Sequence, residues 1–192
     1  MNLSIYPTKE EFSCGTGLLL VDIQDSILKK INNSDQLTLN ICKLALTAKA
    51  FGVPILITEQ KKLGPVSKAI RSLVNYPPLS KTFFSCDREE SISSYLELPQ
   101  QWIIAGVETH VCILQTVKHV IDRVDSIIIC KDTMGSRNTI DHETAIEEMH
   151  SLGASVSTAE ALIFEMIQDS SQPIFKELLP VIKAESIKEL LK

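Results

Sequence analysis

Cys112 is the residue in this chain whose sequence setting best suits a nucleophile. Residues 101–106, which are mostly apolar, predict a buried strand, and residues 113–124 follow with apolar side chains at helical spacing. If Thr109 caps this helix, Cys112 lies in its first turn, where unpaired N–H groups and the positive end of the helix dipole favour a thiolate. The same N–H groups are suited to holding an oxyanion beside the sulfur. The alternative interpretation is a small buried apolar side chain, the usual role of a free cysteine.

The other four cysteines lack this setting. Cys42 lies on the inward face of a helical pattern, which predicts a core residue. Cys14 lies in the N-terminal extension, Cys86 follows the third predicted strand region, and Cys130 closes an apolar strand near the same crevice. No Cys-x-x-Cys pair and no Cys/His zinc spacing occurs, so we expect no metal site.

Asp22 is the candidate base for the thiol. It interrupts an apolar segment directly after Val21, and a carboxylate in such a place needs a charged or hydrogen-bonding partner. Lys81 supplies that charge if the chain folds it into the same crevice; otherwise it is a solvated side chain. Asp22 has the alternative role of fixing the local loop by hydrogen bonds, and for Asp132, after the fifth predicted strand, we favour that structural role.

The histidines are weaker candidates. His110 lies two residues before Cys112, but side chains at positions i and i+2 of a helix do not face each other. His119, His142 and His150 fall in helical patterns and are predicted to be solvated or partly buried surface residues. The Gly-rich residues 15–17 precede the first strand instead of following it, so they do not form a dinucleotide-binding fingerprint, and we expect no cofactor.

A parallel sheet must position these residues. Short apolar segments alternate with helical patterns, which is typical of an α/β fold. The predicted strands are residues 17–23, 53–58, 82–84, 101–106, 126–130 and 154–157, and the last helical segment should kink or break at Pro180. Ligands of such sheets bind outside the carboxyl ends of the strands. If the first and fourth strands flank the point where the strand order reverses, Asp22 and Cys112 face one crevice.

The composition limits the classes of function. The chain has 192 residues, a net charge of −5, 44% hydrophobic residues and 22% charged residues. We expect one domain over residues 1–192, with an N-terminal extension (1–16) and a C-terminal helical segment (173–192). The acidic balance gives no reason to expect nucleic acid or a membrane as a partner. Five cysteines, an odd count, and no signal-like segment favour a reducing, cytoplasmic location.

Three segments resemble the signatures of the isochorismatase-like cysteine hydrolases. They are Leu-Val-Asp-Ile-Gln at 20–24, Lys-Thr-Phe-Phe-Ser at 81–85 and Gly-Val-Glu-Thr-His-Val-Cys at 106–112. The resemblance runs from residue 17 to residue 164, and segments 58–60, 110–116 and 136–137 are most similar to the isochorismatase domain-containing subgroup. It implies a Rossmann-like, three-layer α/β/α fold with a six-stranded, mainly parallel sheet.

The resemblance also implies a catalytic triad. Asp22 is then the general base, Lys81 its charge partner and Cys112 the nucleophile. A cis peptide bond is implied between Val107 and Glu108, and the backbone amides of Glu108 and Cys112 would form the oxyanion hole. The implied reaction is hydrolysis of a C–N bond in a small amide or ureido compound. The residues expected to contact this substrate are Gln24, Glu59, Gln60, Phe84 and Val107.

Several alternatives remain at this point. Residues 58–80 contain no histidine and no aspartate, so the metal site of the family's nicotinamidases is absent and nicotinamide is disfavoured. True isochorismatases cleave a vinyl ether without depending on the cysteine, so the presence of Cys112 favours amide chemistry. A binding or regulatory protein on the same scaffold and a redox-sensing role for Cys112 are further hypotheses. Many relatives are homo-oligomers, and the apolar segment after Pro173 is a candidate contact.

Overall fold

In the part of the chain that the structure describes, six strands form one open sheet. A computed structural model describes residues 8–12 and 15–191, so Cys14 lies outside the described residues. The strands are β1 (Thr16–Val21), β2 (Ile55–Gln60), β3 (Leu79–Lys81), β4 (Gln101–Val107), β5 (Ser126–Gly135) and β6 (Ser155–Ser157). Their order is β3-β2-β1-β4-β5-β6, and every neighbouring pair runs parallel.

Helices connect the strands. They are α1 (Lys9–Phe12), α2 (Asp25–Leu28), α3 (Ser34–Ala50), α4 (Lys68–Leu73), α5 (Glu90–Leu96), α6 (Leu114–Val120), α7 (Thr139–Ser151), α8 (Ala159–Ile167), α9 (Pro173–Lys183) and α10 (Ile187–Leu190). A π-helical turn, Thr109–Ile113, leads into α6, and 3-10 turns span Cys86–Arg88 and Ile121–Arg123. Within residues 8–12 and 15–191, none of the helices has both the length and the apolar character needed to cross a membrane.

The sheet buries an apolar layer on each face. In β1, Leu18 and Leu20 pack into the layer that contains α3 and α8, whereas Leu19 and Val21 pack into the layer of α5, α6 and α7. A strand that is buried on both faces needs this nearly continuous run of apolar residues. The arrangement confirms the expected three-layer α/β/α fold with a six-stranded parallel sheet.

β1 and β4 lie side by side where the strand order reverses. From β1 the chain builds outward to β2 and β3, then returns to β4 and builds outward on the other side. Their close approach requires glycine opposite Val21, because Gly106 has a φ of +132° and a Cβ there would lie 2.1 Å from the Val21 carbonyl oxygen. Asp22 and Glu108, which follow the two strands, therefore lie at the same carboxyl edge of the sheet, where ligands of such sheets bind.

The third strand lies earlier than we predict from the sequence. It spans Leu79–Lys81 instead of residues 82–84, and it pairs with the end of β2. Phe83 and Phe84 favour a strand by residue type, but each is 55% exposed and neither belongs to the sheet. The predicted position is therefore wrong, and the corrected one makes Lys81 part of a strand.

Two further boundaries differ from the prediction. β5 continues to Gly135 instead of ending at residue 130, with a register shift against β4 between Ile104 and Gly106. Pro180 does not break the last helical segment, because α9 runs through it to Lys183. Pro180 has no N–H to donate to the carbonyl of Lys176, one helical turn earlier. Both residues lie on the exposed side of α9, where water can bind that carbonyl.

Candidate active site

Asp22 and Lys81 form a fully buried ion pair. Asp22 follows β1 and Lys81 ends β3, with β2 between them in the sheet. Lys81 Nζ lies 2.6 Å from Asp22 Oδ2, and neither side chain is exposed to solvent. Burial alone would lower the pKa of Lys81, but the attraction of the Asp22 carboxylate outweighs it and the pKa lies above its usual value. Lys81 is therefore protonated at neutral pH.

Thr58 holds the other oxygen of this carboxylate. Its hydroxyl donates to Asp22 Oδ1 at 2.8 Å and accepts from the Asp22 backbone N–H at 3.3 Å. Asp22 has a φ of +50°, a left-handed conformation that aspartate tolerates better than most residues. We do not single out Thr58 for this role from the sequence, where its only signal is a hydroxyl near the end of an apolar strand.

The thiol of Cys112 lies close enough to the Asp22 carboxylate for the two groups to interact. It lies in the π-helical turn and only 5% of its surface is exposed. Burial raises the pKa of this thiol; the charge of Asp22 and a hydrogen bond to it raise the pKa further, whereas Lys81 lowers it. Our expectation that the start of the helix favours a resting thiolate is therefore wrong. Cys112 rests as a thiol, and its ionisation requires a base.

The backbone between β4 and the π-helical turn has the form that the resemblance implies. The Val107–Glu108 peptide bond is cis. The Glu108 carbonyl oxygen accepts from the N–H groups of Val111 at 3.2 Å and Ile113 at 3.4 Å, which closes the turn around Cys112. Glu108 and Cys112 thus belong to one tight turn. The role of their amides as an oxyanion hole stays a prediction.

Thr109 does not cap the helix as we expect from the sequence. Glu108 occupies the capping position and makes no side-chain capping bond. The Thr109 hydroxyl instead lies 2.9 Å from Nδ1 of His142 at the start of α7. Burial lowers the pKa of His142, so its ring is neutral at pH 7. Thr109 therefore anchors the turn to α7.

Two more side chains of the turn contact the segment before α7. Glu108 Oε1 accepts from both N and Nε of Arg137, each at 3.0 Å. His110 Nδ1 lies 2.9 Å from the hydroxyl of Ser136. His110 is thus engaged with Ser136, which agrees with our rejection of it as the base for Cys112.

The polar residues predicted to contact substrate are engaged in protein contacts. Gln24 is fully buried; its Oε1 accepts from the Gln60 N–H at 3.0 Å, and its Nε2 donates to the Gln60 carbonyl at 3.0 Å. Glu59 Oε2 accepts from the Val66 N–H at 3.1 Å. Gln60 Oε1 accepts from Lys81 Nζ at 2.7 Å. Direct substrate contacts by these three residues stay a prediction.

The two apolar residues of that set differ in exposure. Val107 is fully buried at the end of β4. Phe84 is 55% exposed, and its carbonyl oxygen accepts from Lys81 Nζ at 3.0 Å. Because Lys81 belongs to the buried ion pair, this bond places the Phe84 backbone beside the site. A contact of its ring with substrate stays a prediction.

Cys86 approaches the site, as its sequence position suggested. Its backbone N–H donates to Thr116 Oγ1 at 3.0 Å, and that hydroxyl donates to the Cys112 carbonyl at 2.7 Å. Its thiol lies 4.0 Å from Thr58 Oγ1. Burial raises the pKa of the Cys86 thiol to about 11. Cys86 is thus a second buried thiol next to the candidate nucleophile.

The remaining candidates have structural roles. Cys42 is fully buried in the core, and burial raises the pKa of its thiol to about 12. Asp132 accepts from the Ala159 N–H at 2.8 Å and from Asn40 at 3.0 Å, which ties β5 to α8 and α3. Both outcomes confirm the predictions. In the part of the chain that the structure describes, no group of three or more His, Cys, Asp or Glu side chains is arranged to hold a metal ion.

The chain is similar in sequence to proteins of a known family. The sequence profile described as the Isochorismatase domain matches residues 16–161. The mouse isochorismatase domain-containing protein 2A is 31% identical over 170 residues, which cover 86% of this chain and 82% of the relative.

Two solved structures show the same fold. The MAR1 ribonuclease from Caenorhabditis elegans has a TM-score of 0.82 and 28% identity, covering 91% of this chain and 92% of its own. The YcaC gene product of Escherichia coli, described as an octameric hydrolase of unknown specificity, has a TM-score of 0.82 and 21% identity, covering 100% of this chain and 97% of its own. The predicted family and fold are confirmed, and the chain belongs to the isochorismatase domain family.

Proposed function

We propose that this protein is a hydrolase that cleaves a C–N bond in a small amide or ureido compound with Cys112 as the nucleophile. The observation that carries the proposal is the fully buried ion pair of Asp22 with Lys81, whose charges both act on the buried thiol of Cys112. A nucleophile, a base and a group that fixes the base are the parts that covalent catalysis requires. The scaffold is that of the isochorismatase-like hydrolases.

The first step transfers a proton. The raised pKa of the Cys112 thiol means that little thiolate exists at neutral pH without help. Asp22 accepts the thiol proton while the sulfur attacks the carbonyl carbon of the substrate. The ammonium of Lys81 keeps a positive charge beside the developing negative charge, because its raised pKa holds it protonated throughout.

The later steps return the site to its starting state. The carbonyl oxygen becomes an oxyanion, which the backbone amides of Glu108 and Cys112 stabilise. The C–N bond breaks, and the amine leaves with the proton that Asp22 took from Cys112. Asp22 then removes a proton from water as it attacks the thioester. The acid product departs, and the thiol of Cys112 regains its proton.

The experiment compares turnover of an amide and ureide library by the wild type, Cys112→Ala and Asp22→Asn. We expect both variants to lose at least about 1,000-fold in kcat/KM. Cys42→Ala is the matched control, because it removes a buried thiol from the core and should retain turnover. Full activity of Cys112→Ala would reject covalent catalysis and favour a vinyl ether hydrolase. Absence of turnover with every compound would favour a binding or regulatory protein.

A ribonuclease is the second candidate, because the Caenorhabditis elegans neighbour carries that name. The net charge of −5 disfavours binding of a polyanionic nucleic acid. The thiol of Cys112 is also buried, so a polynucleotide has little access to it. Incubation with single-stranded and hairpin RNA tests this candidate, and we expect no cleavage. Cleavage by the wild type that disappears in Cys112→Ala would favour it over amide hydrolysis.

A small-molecule substrate and a homo-oligomeric assembly belong to the same proposal. In α9, Leu178 is buried against α8, whereas Pro180 is exposed on the other side of the helix. The family resemblance leads us to expect a homo-oligomer, in which the C-terminal segment after Pro173 contacts a second copy of the chain. Sedimentation velocity of the full chain measures it, and a single species of about 21.3 kDa would reject it.

A further inference from the structure

The ammonium of Lys81 is surrounded by acceptors. Its Nζ lies 2.6 Å from Asp22 Oδ2, 2.7 Å from Gln60 Oε1, 3.0 Å from the Phe84 carbonyl and 3.2 Å from the Phe83 carbonyl. An ammonium has three N–H donors, so four acceptors leave none for a substrate. Only Asp22 among them is charged. Lys81 therefore acts through its position and its charge; Asp22 maintains the charge, and the neutral acceptors help to fix the position.

The sheet register places Gln60 beside Lys81. The two residues end β2 and β3 and are direct partners in the parallel ladder. Their side chains therefore leave the sheet on the same face. Gln60 Nε2 donates to the Thr82 carbonyl at 2.8 Å. A rotated amide would turn its NH2 group toward the ammonium and its oxygen toward Thr82, two repulsive contacts, so the carbonyl of Gln60 must face Lys81.

Gln24 fixes the backbone of Gln60. Its side-chain amide accepts from the Gln60 N–H and donates to the Gln60 carbonyl, both at 3.0 Å. Gln24 itself is fully buried, two residues after Asp22. The loop that carries the carboxylate thus also holds the strand end that presents an acceptor to Lys81.

We propose that Gln60 is a positioning residue and not the substrate contact that the family resemblance implies. It holds the Lys81 ammonium against Asp22 through a neutral carbonyl. The inference rests on the proposed role of Cys112. A neutral acceptor leaves one ammonium and one carboxylate around the thiol. A carboxylate at position 60 would add a negative charge, compete with Asp22 for Lys81 and oppose formation of the thiolate.

Alkylation of Cys112 by iodoacetamide, a small amide electrophile, tests this inference in the full chain. The rate as a function of iodoacetamide concentration, with the modified residue located by mass mapping, gives a maximal rate and a half-saturating concentration. The variants are Gln60→Leu, which removes the acceptor, and Gln60→Glu, which adds a charge. Gln172→Glu is the control, because this exposed residue before α9 makes no side-chain capping bond.

We expect Gln60→Leu to lower the maximal rate about threefold and Gln60→Glu to lower it about thirtyfold, since one pKa unit on the thiol is a tenfold change in thiolate. The half-saturating concentration should stay unchanged in both, and the control should match the wild type. Equal losses in the two variants would show a purely structural role and overturn the inference. An increased half-saturating concentration with an unchanged maximal rate would also overturn it, because Gln60 would then contact the ligand.

Failure of the proposed function gives a different result. If Cys112 of the wild type reacts no faster than the buried Cys42, the thiol is not activated, and both the proposed function and this inference fall. If Cys112 of the wild type reacts faster but the Gln60 variants equal it in both parameters, only the inference falls. Thermal unfolding of each variant confirms that the measured protein is folded.

Discussion

Thr58 and Asp22 are joined by two hydrogen bonds of opposite direction. The Thr58 hydroxyl donates to Asp22 Oδ1 at 2.8 Å and accepts from the Asp22 N–H at 3.3 Å. It therefore fixes both the backbone and the carboxylate of this residue, while Oδ2 lies against Lys81. Each oxygen of the buried carboxylate has a polar partner, as buried polar groups require.

Thr58→Val should impair the site because it removes the hydroxyl and keeps the shape of the side chain. We expect alkylation of Cys112 to slow about tenfold and the free energy of unfolding to fall by about 1–3 kcal/mol. Thr47→Val is the matched control, since Thr47 is also fully buried and donates to the Lys43 carbonyl within α3. Iodoacetamide kinetics and urea unfolding measure the two effects. An equal loss of Cys112 reactivity in Thr47→Val would contradict a specific role for Thr58.

The sequence allows the candidate nucleophile and base to be singled out, but not the residues that contact and position them. Asp22 and Cys112 follow apolar strands, and this position alone places them at the carboxyl edge of a parallel sheet. The support from Thr58 and Gln60 depends on strand register, which tertiary packing determines and which no local pattern reveals. The raised pKa of Cys112 depends in the same way on burial by distant elements.

The third strand illustrates the same limit. Phe83 and Phe84 have strong strand propensity, yet it is Leu79–Lys81 that pairs with β2, with Lys81 as the partner of Gln60. The resemblance implies a role for Lys81, whereas the strand predicted from propensity, residues 82–84, begins just after this residue.

Lys81→Met should destabilise the fold strongly, because it leaves the carboxylate of Asp22 buried without its counter-charge. We expect a loss of about 3–5 kcal/mol in the free energy of unfolding at pH 7. The double variant Asp22→Asn with Lys81→Met carries no unpaired charge, so it should be more stable than Lys81→Met alone. Urea unfolding of the wild type, both single variants and the double variant gives the coupling free energy. A double variant that is less stable than Lys81→Met would contradict this account.

Gly106→Ala should disrupt the pairing of β1 with β4. A Cβ at this position would meet the Val21 carbonyl oxygen at 2.1 Å, and the φ of +132° is unfavourable for alanine. We expect a loss of at least about 3 kcal/mol in the free energy of unfolding, together with loss of Cys112 reactivity. Gly153→Ala separates the steric clash from the backbone strain. Its φ is +107°, so alanine is strained there too, but nothing lies within 4 Å of the added Cβ. It should lose only about 1 kcal/mol.

The buried thiols should make the protein less stable in alkali. Burial raises the pKa of Cys42 to about 12 and that of Cys86 to about 11. In the unfolded chain a thiol ionises near pH 8.5, so above this pH the unfolded state has lost protons that the folded state retains. The stabilisation is complete below about pH 8.5 and is lost as the pH rises through the folded-state pKa.

Cys42→Ala isolates one part of this effect. At about 1.4 kcal/mol per pH unit, Cys42 should cost about 2 kcal/mol of stability between pH 8.5 and pH 10. The variant leaves a cavity and should be less stable at pH 7, but its stability should fall less steeply with pH. Urea unfolding under reducing conditions from pH 7 to pH 10 measures both slopes. Parallel curves for the wild type and Cys42→Ala would contradict this prediction. They would mean that Cys42 ionises equally in the folded and unfolded states, despite its complete burial in the folded state.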